Sequence, residues 1–110
     1  MSQVNAFLKM ELFSAKLTDE DLDSIELEFK NIVNKIHPEA IVEINSELHW
    51  EDDEFYSIDN IIINIGKVIF KVWYDDAGNP CVDILDKDSV FLTVEYPKNK
   101  EELESLFAKY

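Results

Sequence analysis

The chain contains no arginine. Its ten basic residues are all lysine, set against 24 acids, for a formal net charge of −14. Arginine supplies the planar fork that grips phosphates and stacks on bases. Its absence, with a pI near 4.3, disfavours direct binding to nucleic acid or to an anionic membrane, because phosphates are repelled at long range. Cysteine is nearly absent as well: Cys81 alone permits no intramolecular disulfide and no metal knuckle. Two histidines, His37 and His49, are too few and too scattered for a zinc site. With 2 glycines and 3 prolines there is little material for the long flexible loops that often carry active sites. No apolar run approaches the roughly 20 residues needed to cross a bilayer. The first residues, Met1-Ser2-Gln3-Val4-Asn5, lack the basic and apolar regions of a signal peptide. The expected location is the cytoplasm.

What is present is enough for a core. Of 110 residues, 46% are hydrophobic and 12% aromatic, which fits one folded domain spanning residues 1–110 rather than a disordered chain.

Residues 18–37 read as a helix. Thr18 is a good N-cap, Asp19, Glu20 and Asp21 suit the positive end of the dipole, and Leu22, Ile25, Phe29, Ile32, Val33 and Ile36 form one apolar face. Pro38 stops it. Residues 1–17 fit either periodicity. Leu8, Met10 and Leu12 alternate with Lys9 and Glu11, suggesting a strand over residues 6–13, while Val4, Phe7, Leu8, Leu12 and Ala15 also fit a helical stripe.

Residues 40–50 alternate with period two: Val42, Ile44, Leu48 and Trp50 share one face, Glu43, Glu47 and His49 the other. A strand over residues 55–65 follows; its apolar stretch predicts coverage on both faces. Gly66-Lys67 has the composition of a type II′ turn. Strands over residues 68–74, 81–85 and 89–96 come next, separated by turn formers. After Pro97, Asn99 caps a last helix in which Leu103, Leu106, Phe107 and Tyr110 share a face. The predicted fold class is α+β: an antiparallel β-meander of about five strands, with an N-terminal and a C-terminal helix packed on one face.

The acids cluster. Between Ile36 and Gly66 stand Glu39, Glu43, Glu47, Glu51, Asp52, Asp53, Glu54 and Asp59, with no lysine. If residues 40–50 and 55–65 pair, residues 51–54 form an acidic hairpin tip beside Trp50, Phe55 and Tyr56. A charged rim speeds encounter with a basic partner, and aromatics supply contact area. The candidate partner-binding residues are therefore Glu43, Glu47, Trp50, Glu51, Asp52, Asp53, Glu54, Tyr56 and Asp59. Acids at a loop tip can also serve only solubility and edge protection. A charge of −14 on 12.8 kDa exceeds the magnitude of about 2–8 that keeps a small domain soluble, and the excess costs stability through self-repulsion.

Other constellations are weaker. Asp75, Asp76 and Asn79 lack the alternate spacing and closing glutamate of a calcium loop, and turn chemistry accounts for them. Cys81 with His37 or His49 could pair nucleophile and base, but Cys81 opens an apolar strand, where cysteines are structural. No P-loop, dinucleotide fingerprint or nucleophile elbow occurs. The expectation is a binding protein, not an enzyme, with no cofactor and no metal.

In size, acidity and α+β pattern the chain resembles the small cytoplasmic immunity proteins that neutralise bacterial toxins, such as those of colicin and contact-dependent growth inhibition systems. The resemblance spans the whole chain at the level of class, without a shared motif. It implies a tight, stoichiometric complex with a basic nuclease toxin, the acids standing where substrate phosphates would bind. The alternative is a phage-type DNA mimic that blocks a restriction or CRISPR nuclease; it predicts acids spaced like phosphates over an extended face.

Overall fold

Thr18 and Asp21 open the longest helix by reciprocal capping. Thr18 Oγ1 accepts the Asp21 amide at 3.2 Å, and Asp21 Oδ2 accepts the Thr18 amide at 2.9 Å. The computed structural model describes residues 2–12, 15–50 and 53–110, and in it this helix, α2, runs Asp19–Asn34. It stops short of the expected residue 37. The amides of Ile36 and His37 share the Val33 carbonyl, at 3.0 and 2.7 Å, a tightened last turn just ahead of Pro38, which disfavours helical geometry at His37.

The expected strand over residues 6–13 is not formed; residues Gln3–Leu8 are a helix, α1, and residue 13 lies outside the described residues. Tertiary contact overrides the alternating pattern. Ser2 caps α1 by accepting the Asn5 amide at 3.2 Å. Glu28 of α2 reaches across to accept from Ser2 Oγ at 3.0 Å and from the Gln3 amide at 2.7 Å. A carboxylate at a helix N-terminus satisfies amides that have no partner within the helix. Val4, Phe7 and Leu8 are then buried together, so the helical stripe wins.

The remaining elements are β1 (Ile41–His49), β2 (Phe55–Asn64), β3 (Val68–Tyr74), β4 (Pro80–Asp86), β5 (Phe91–Glu95) and α3 (Lys100–Ala108). The strands form one antiparallel sheet in sequence order, β1-β2-β3-β4-β5, the predicted meander. Between β2 and β3, Gly66 takes φ 95 and Ile65 donates to the Val68 carbonyl at 3.1 Å, closing the expected two-residue turn. Asn99 Oδ1 accepts the Glu102 amide at 2.9 Å and starts α3. Glu102 returns its bond to Lys98, at 3.2 Å, rather than to the cap residue.

All three helices lie on one face of the sheet. The core between the layers takes Val4, Phe7, Ile25, Phe29, Leu103 and Phe107 from the helices, and Val42, Ile61, Ile63, Phe70, Val72, Val82 and Ile84 from the sheet. Phe7 stacks on Tyr74 with ring centroids 4.4 Å apart, and the Tyr74 hydroxyl donates to the Phe7 carbonyl. Phe70 meets Phe107 edge-on at 5.0 Å. Side chains tie the helices together: Asn5 Oδ1 accepts the Lys100 amide at 2.8 Å, and His37 Nε2 lies 2.8 Å from the Phe107 carbonyl.

Among the described residues, no helix lies over the other sheet face. β2 is accordingly not covered on both sides as its apolar run suggests: Ile61 and Ile63 are fully buried, while Ile62 points to the open face and stays partly exposed. Ile62 stands in register between Glu43 of β1 and Lys71 of β3.

Candidate functional site

β1 and β2 are longer than the sheet they belong to. They pair from Ile41↔Asn64 to His49↔Phe55, whereas β3 pairs with β2 only over residues 61–64. The far half of the hairpin thus projects past β3; among the described residues it is braced by a bridge between Leu17 and Tyr56 and by Tyr56 and Ile58 packing on the core. This overhang contributes to an elongated shape of 42 × 26 × 24 Å. Trp50, Asp53 and Glu54 lie at its end, between the two strands. Trp50 is 71% exposed there, and Asp53 and Glu54 are exposed beside it. Glu51 and Asp52 lie outside the described residues.

Glu43 and Glu47 are exposed on the open face of β1, because their neighbours Val42 and Ile44 turn to the core. Asp59 is the extra residue of a bulge: Asn45 pairs with Asn60 but Ser46 with Ile58. Such a bulge adds local twist to the hairpin. Tyr56 goes elsewhere. Its ring packs against the core on the helix side, and the Asp19 carboxylate, hydrogen-bonded to its hydroxyl, is the first cause holding the phenol above its ordinary value. The structure therefore gathers Trp50, Asp53 and Glu54 at the tip, with Glu43 and Glu47 along one face, and separates Tyr56 from them.

The zone that is free of lysine in sequence is not free of lysine in space. The segment before α2 brings Lys16 to the hairpin, its ammonium 5.1 Å from the centre of the Phe55 ring. Phe55 stacks on His49 at 4.8 Å, and His49 Nε2 is 2.8 Å from Ser57 Oγ. On β3, Lys71 sits 4.2 Å over the Trp73 ring, and Trp73 Nε1 donates to Asp83 at 3.1 Å. Both lysines engage aromatic faces. Lys16 places positive charge at the hairpin end and Lys71 places it mid-sheet, opposite Ile62; beyond Lys71 the face is more apolar. In the apolar end Ile41, Ile69, Leu85 and Phe91 fall in one cross-strand row around Asn64.

The structure holds the weaker constellations apart. Cys81 is 2% exposed and stands opposite Trp73 on β4; burial first, then Asp83 and Asp75, pushes its thiol up to about 11. His49 lies three strands away on β1, on the order of 14 Å at normal strand spacing. His37 is on the helix side against Phe107. Asp75 Oδ1 accepts the amides of Ala77 and Asn79 at 3.0 and 2.9 Å, which is turn chemistry. Among the described residues, no group of three or more His, Cys, Asp or Glu side chains converges as a metal site, and no helix is long and apolar enough to cross a membrane.

Sequence reading missed the exposed apolar residues around β5. Val90, Phe91, Leu92 and Tyr96 are each more than half exposed. The uninterrupted Val90-Phe91-Leu92 run was the available signal, since a strand with one covered face should alternate.

Comparison of the chain with protein-family models, curated proteins and solved structures finds no match in any of the three.

Proposed function

We propose that the chain is a non-catalytic binding protein of the immunity type. It neutralises a basic toxin domain of nuclease character in the cytoplasm through the β1–β2 hairpin and the adjoining open face. The observation that carries this reading is the overhang, where a tryptophan 71% exposed stands beside exposed Asp53 and Glu54 on two strands that reach past the rest of the sheet. An indole in water is expensive unless a partner covers it, and a flanking negative field brings a lysine- and arginine-rich surface to it quickly. Glu43 and Glu47 continue that field down the open face. Ile62 and the Ile69–Leu85 row supply apolar area inside an acidic rim, the anatomy of a recognition surface.

Positive charge from Lys16 at the hairpin end and from Lys71 mid-sheet interrupts the acids and favours this reading over a DNA mimic, which needs a continuous acidic track. The test is inhibition of a purified basic nuclease toxin domain encoded beside this gene. Equimolar protein should abolish cleavage, with an association rate that falls as salt rises. The quadruple variant Glu43→Lys, Glu47→Lys, Asp53→Lys, Glu54→Lys should lose inhibition while keeping its unfolding midpoint. Undiminished cleavage in the presence of excess protein would reject the immunity reading. Inhibition of unrelated restriction nucleases, relieved by competing duplex DNA, would replace it with mimicry.

A further inference from the structure

We propose that the β5 edge is a strand-addition site for an extended segment of a partner protein in which apolar and basic residues alternate. This surface lies at the opposite edge of the sheet from the acidic hairpin, and the proposal stands independently of the immunity reading.

Edge strands present alternate amides and carbonyls to solvent, and proteins normally guard them with charge, proline or a covering element. β1, the other edge, carries Glu43 and Glu47. β5 reads Phe-Leu-Thr-Val-Glu, contains neither lysine nor proline, and has as its guards only Glu95 at its end and a bulge at Leu92, which leave Phe91 and Leu92 open. Among the described residues, no strand pairs with its outer side. Phe91 is 56% and Leu92 53% exposed, with Val90 and Tyr96 similarly open on either side. A partner strand would satisfy the outward backbone groups and bury these side chains at once.

The two faces of the added strand would meet different surroundings, and this specifies the occupant. Phe91 and Val94 pair with Leu85 and Asp83 and so belong to the open face; Phe91 there ends the apolar row through Ile69 and Leu85. Residues of the partner on that side extend this row and should be apolar. Glu95 pairs with Val82 and belongs to the helix side. There a groove of about 430 Å³ opens between the end of β5 and α3, lined by Glu95, Tyr96, Glu101, Glu102, Leu106 and Lys109. Three carboxylates against one ammonium call for lysine or arginine on the alternate positions, with their aliphatic stems along Tyr96 and Leu106. A bulge at Leu92 breaks the alternation between Phe91 and Thr93, so the period of two is kept over residues 93–95 and the basic position falls opposite that stretch. A second copy of this chain fits poorly: its own β5 would bring another acid to the groove and no lysine.

The test uses the intact protein, isotope-labelled, titrated with an alternating lysine–valine nonapeptide, with an alternating glutamate–valine nonapeptide as control. The lysine–valine peptide should shift and slow the exchange of the amides of residues 91–95, leave those of residues 41–49 unchanged, and bind at least about tenfold more tightly than the control. Phe91→Ser and Glu101→Lys, both at exposed positions, should each weaken it by about tenfold while leaving the unfolding midpoint in place. Perturbation confined to β1 and the hairpin would overturn the assignment, since it would show charge attraction without strand addition. Equal binding of the two peptides would overturn the requirement for basic residues, and with it the assigned occupant. Sedimentation of the protein alone as a dimer that Phe91→Ser dissociates would overturn it in favour of self-pairing.

Discussion

Ser89 stands in the β4–β5 hairpin where Gly78 stands in the β3–β4 hairpin. Both loops begin with an aspartate, Asp75 or Asp86. Its Oδ1 accepts two loop amides, those of Ala77 and Asn79 in one loop and of Asp88 and Val90 in the other. Both close with the fourth residue donating to the aspartate carbonyl, at 2.8 Å for Gly78 and 2.9 Å for Ser89. That residue takes a left-handed conformation, φ 84 for Gly78 and φ 66 for Ser89. This is a three-residue hairpin loop ending in a left-handed residue, used twice in succession.

Only one of the two loops has the residue suited to it. A side chain in the left-handed region costs roughly 1–2 kcal/mol, part of which glycine gives back through its unfolded-state entropy. Ser89→Gly should therefore stabilise the protein by about 0.5–1 kcal/mol. Gly78→Ser should destabilise it by a similar amount. Urea midpoints at constant slope measure both, and a neutral Ser89→Gly would show that the loop strain is relieved elsewhere.

Glu28 should hold α1 in place. Its carboxylate accepts from Ser2 Oγ and the Gln3 amide, and removing an acceptor of this kind costs about 1.5–3 kcal/mol. Glu28→Ala is expected to lose that much stability and to release the amides of residues 3–8 to exchange well before those of α2. Glu28→Gln, which keeps the shape but not the charge, should fall between. Unchanged protection of residues 3–8 in Glu28→Ala would place the control of α1 in its apolar face instead.

Alkaline pH should destabilise the fold. Burial raises the Cys81 thiol from 9.0 to about 11, and burial also raises the Tyr74 phenol well above its ordinary 10.0. Above pH 9 the unfolded chain releases protons that the folded chain still holds, so stability is fully present below pH 9 and falls as pH rises towards 11. Thermal melts between pH 7 and 11 should show this decline. Cys81→Ala should remove its first part and leave the part above pH 10 that belongs to Tyr74. In the same range native Cys81 should resist iodoacetamide at pH 8 and react once urea unfolds the chain.

Salt should stabilise. With a net charge of −14, self-repulsion is relieved as the screening length shrinks from about 30 Å at 0.01 M to about 3 Å at 1 M. The melting temperature is expected to rise with sodium chloride, by about 4–8 °C for each kcal/mol recovered. A flat profile would mean that the acids are spaced widely enough not to repel one another measurably.

Much of the fold was legible because its signals are local. Thr18 and Asn99 each mark a helix start through their own side chains, and Gly66 marks a turn through its own backbone freedom. The period of two in residues 40–50 places Glu43 and Glu47 on one face wherever the strand lies. The β1–β2 pairing was legible for the same reason: a strand, a short run with four acids and another strand pair most easily with each other. Residues 6–13 were misread because helix and strand periods both fit so short a stretch, and the deciding contact, Glu28 to Ser2, spans 26 residues.

The sequence by itself determined an acidic antiparallel meander whose first hairpin is rich in acids, since charge, period and turn chemistry act between near neighbours. The tertiary structure decided which surfaces remain free. It set all three helices on one face and so opened the other. It drew Tyr56 to the core and to Asp19, and it carried Lys16 and Lys71 into a zone that holds no lysine in sequence. It also left Phe91 and Leu92 exposed on the edge strand β5. Exposure and long-range charge depend on which segments meet, and that is fixed only when the core between helices and sheet closes.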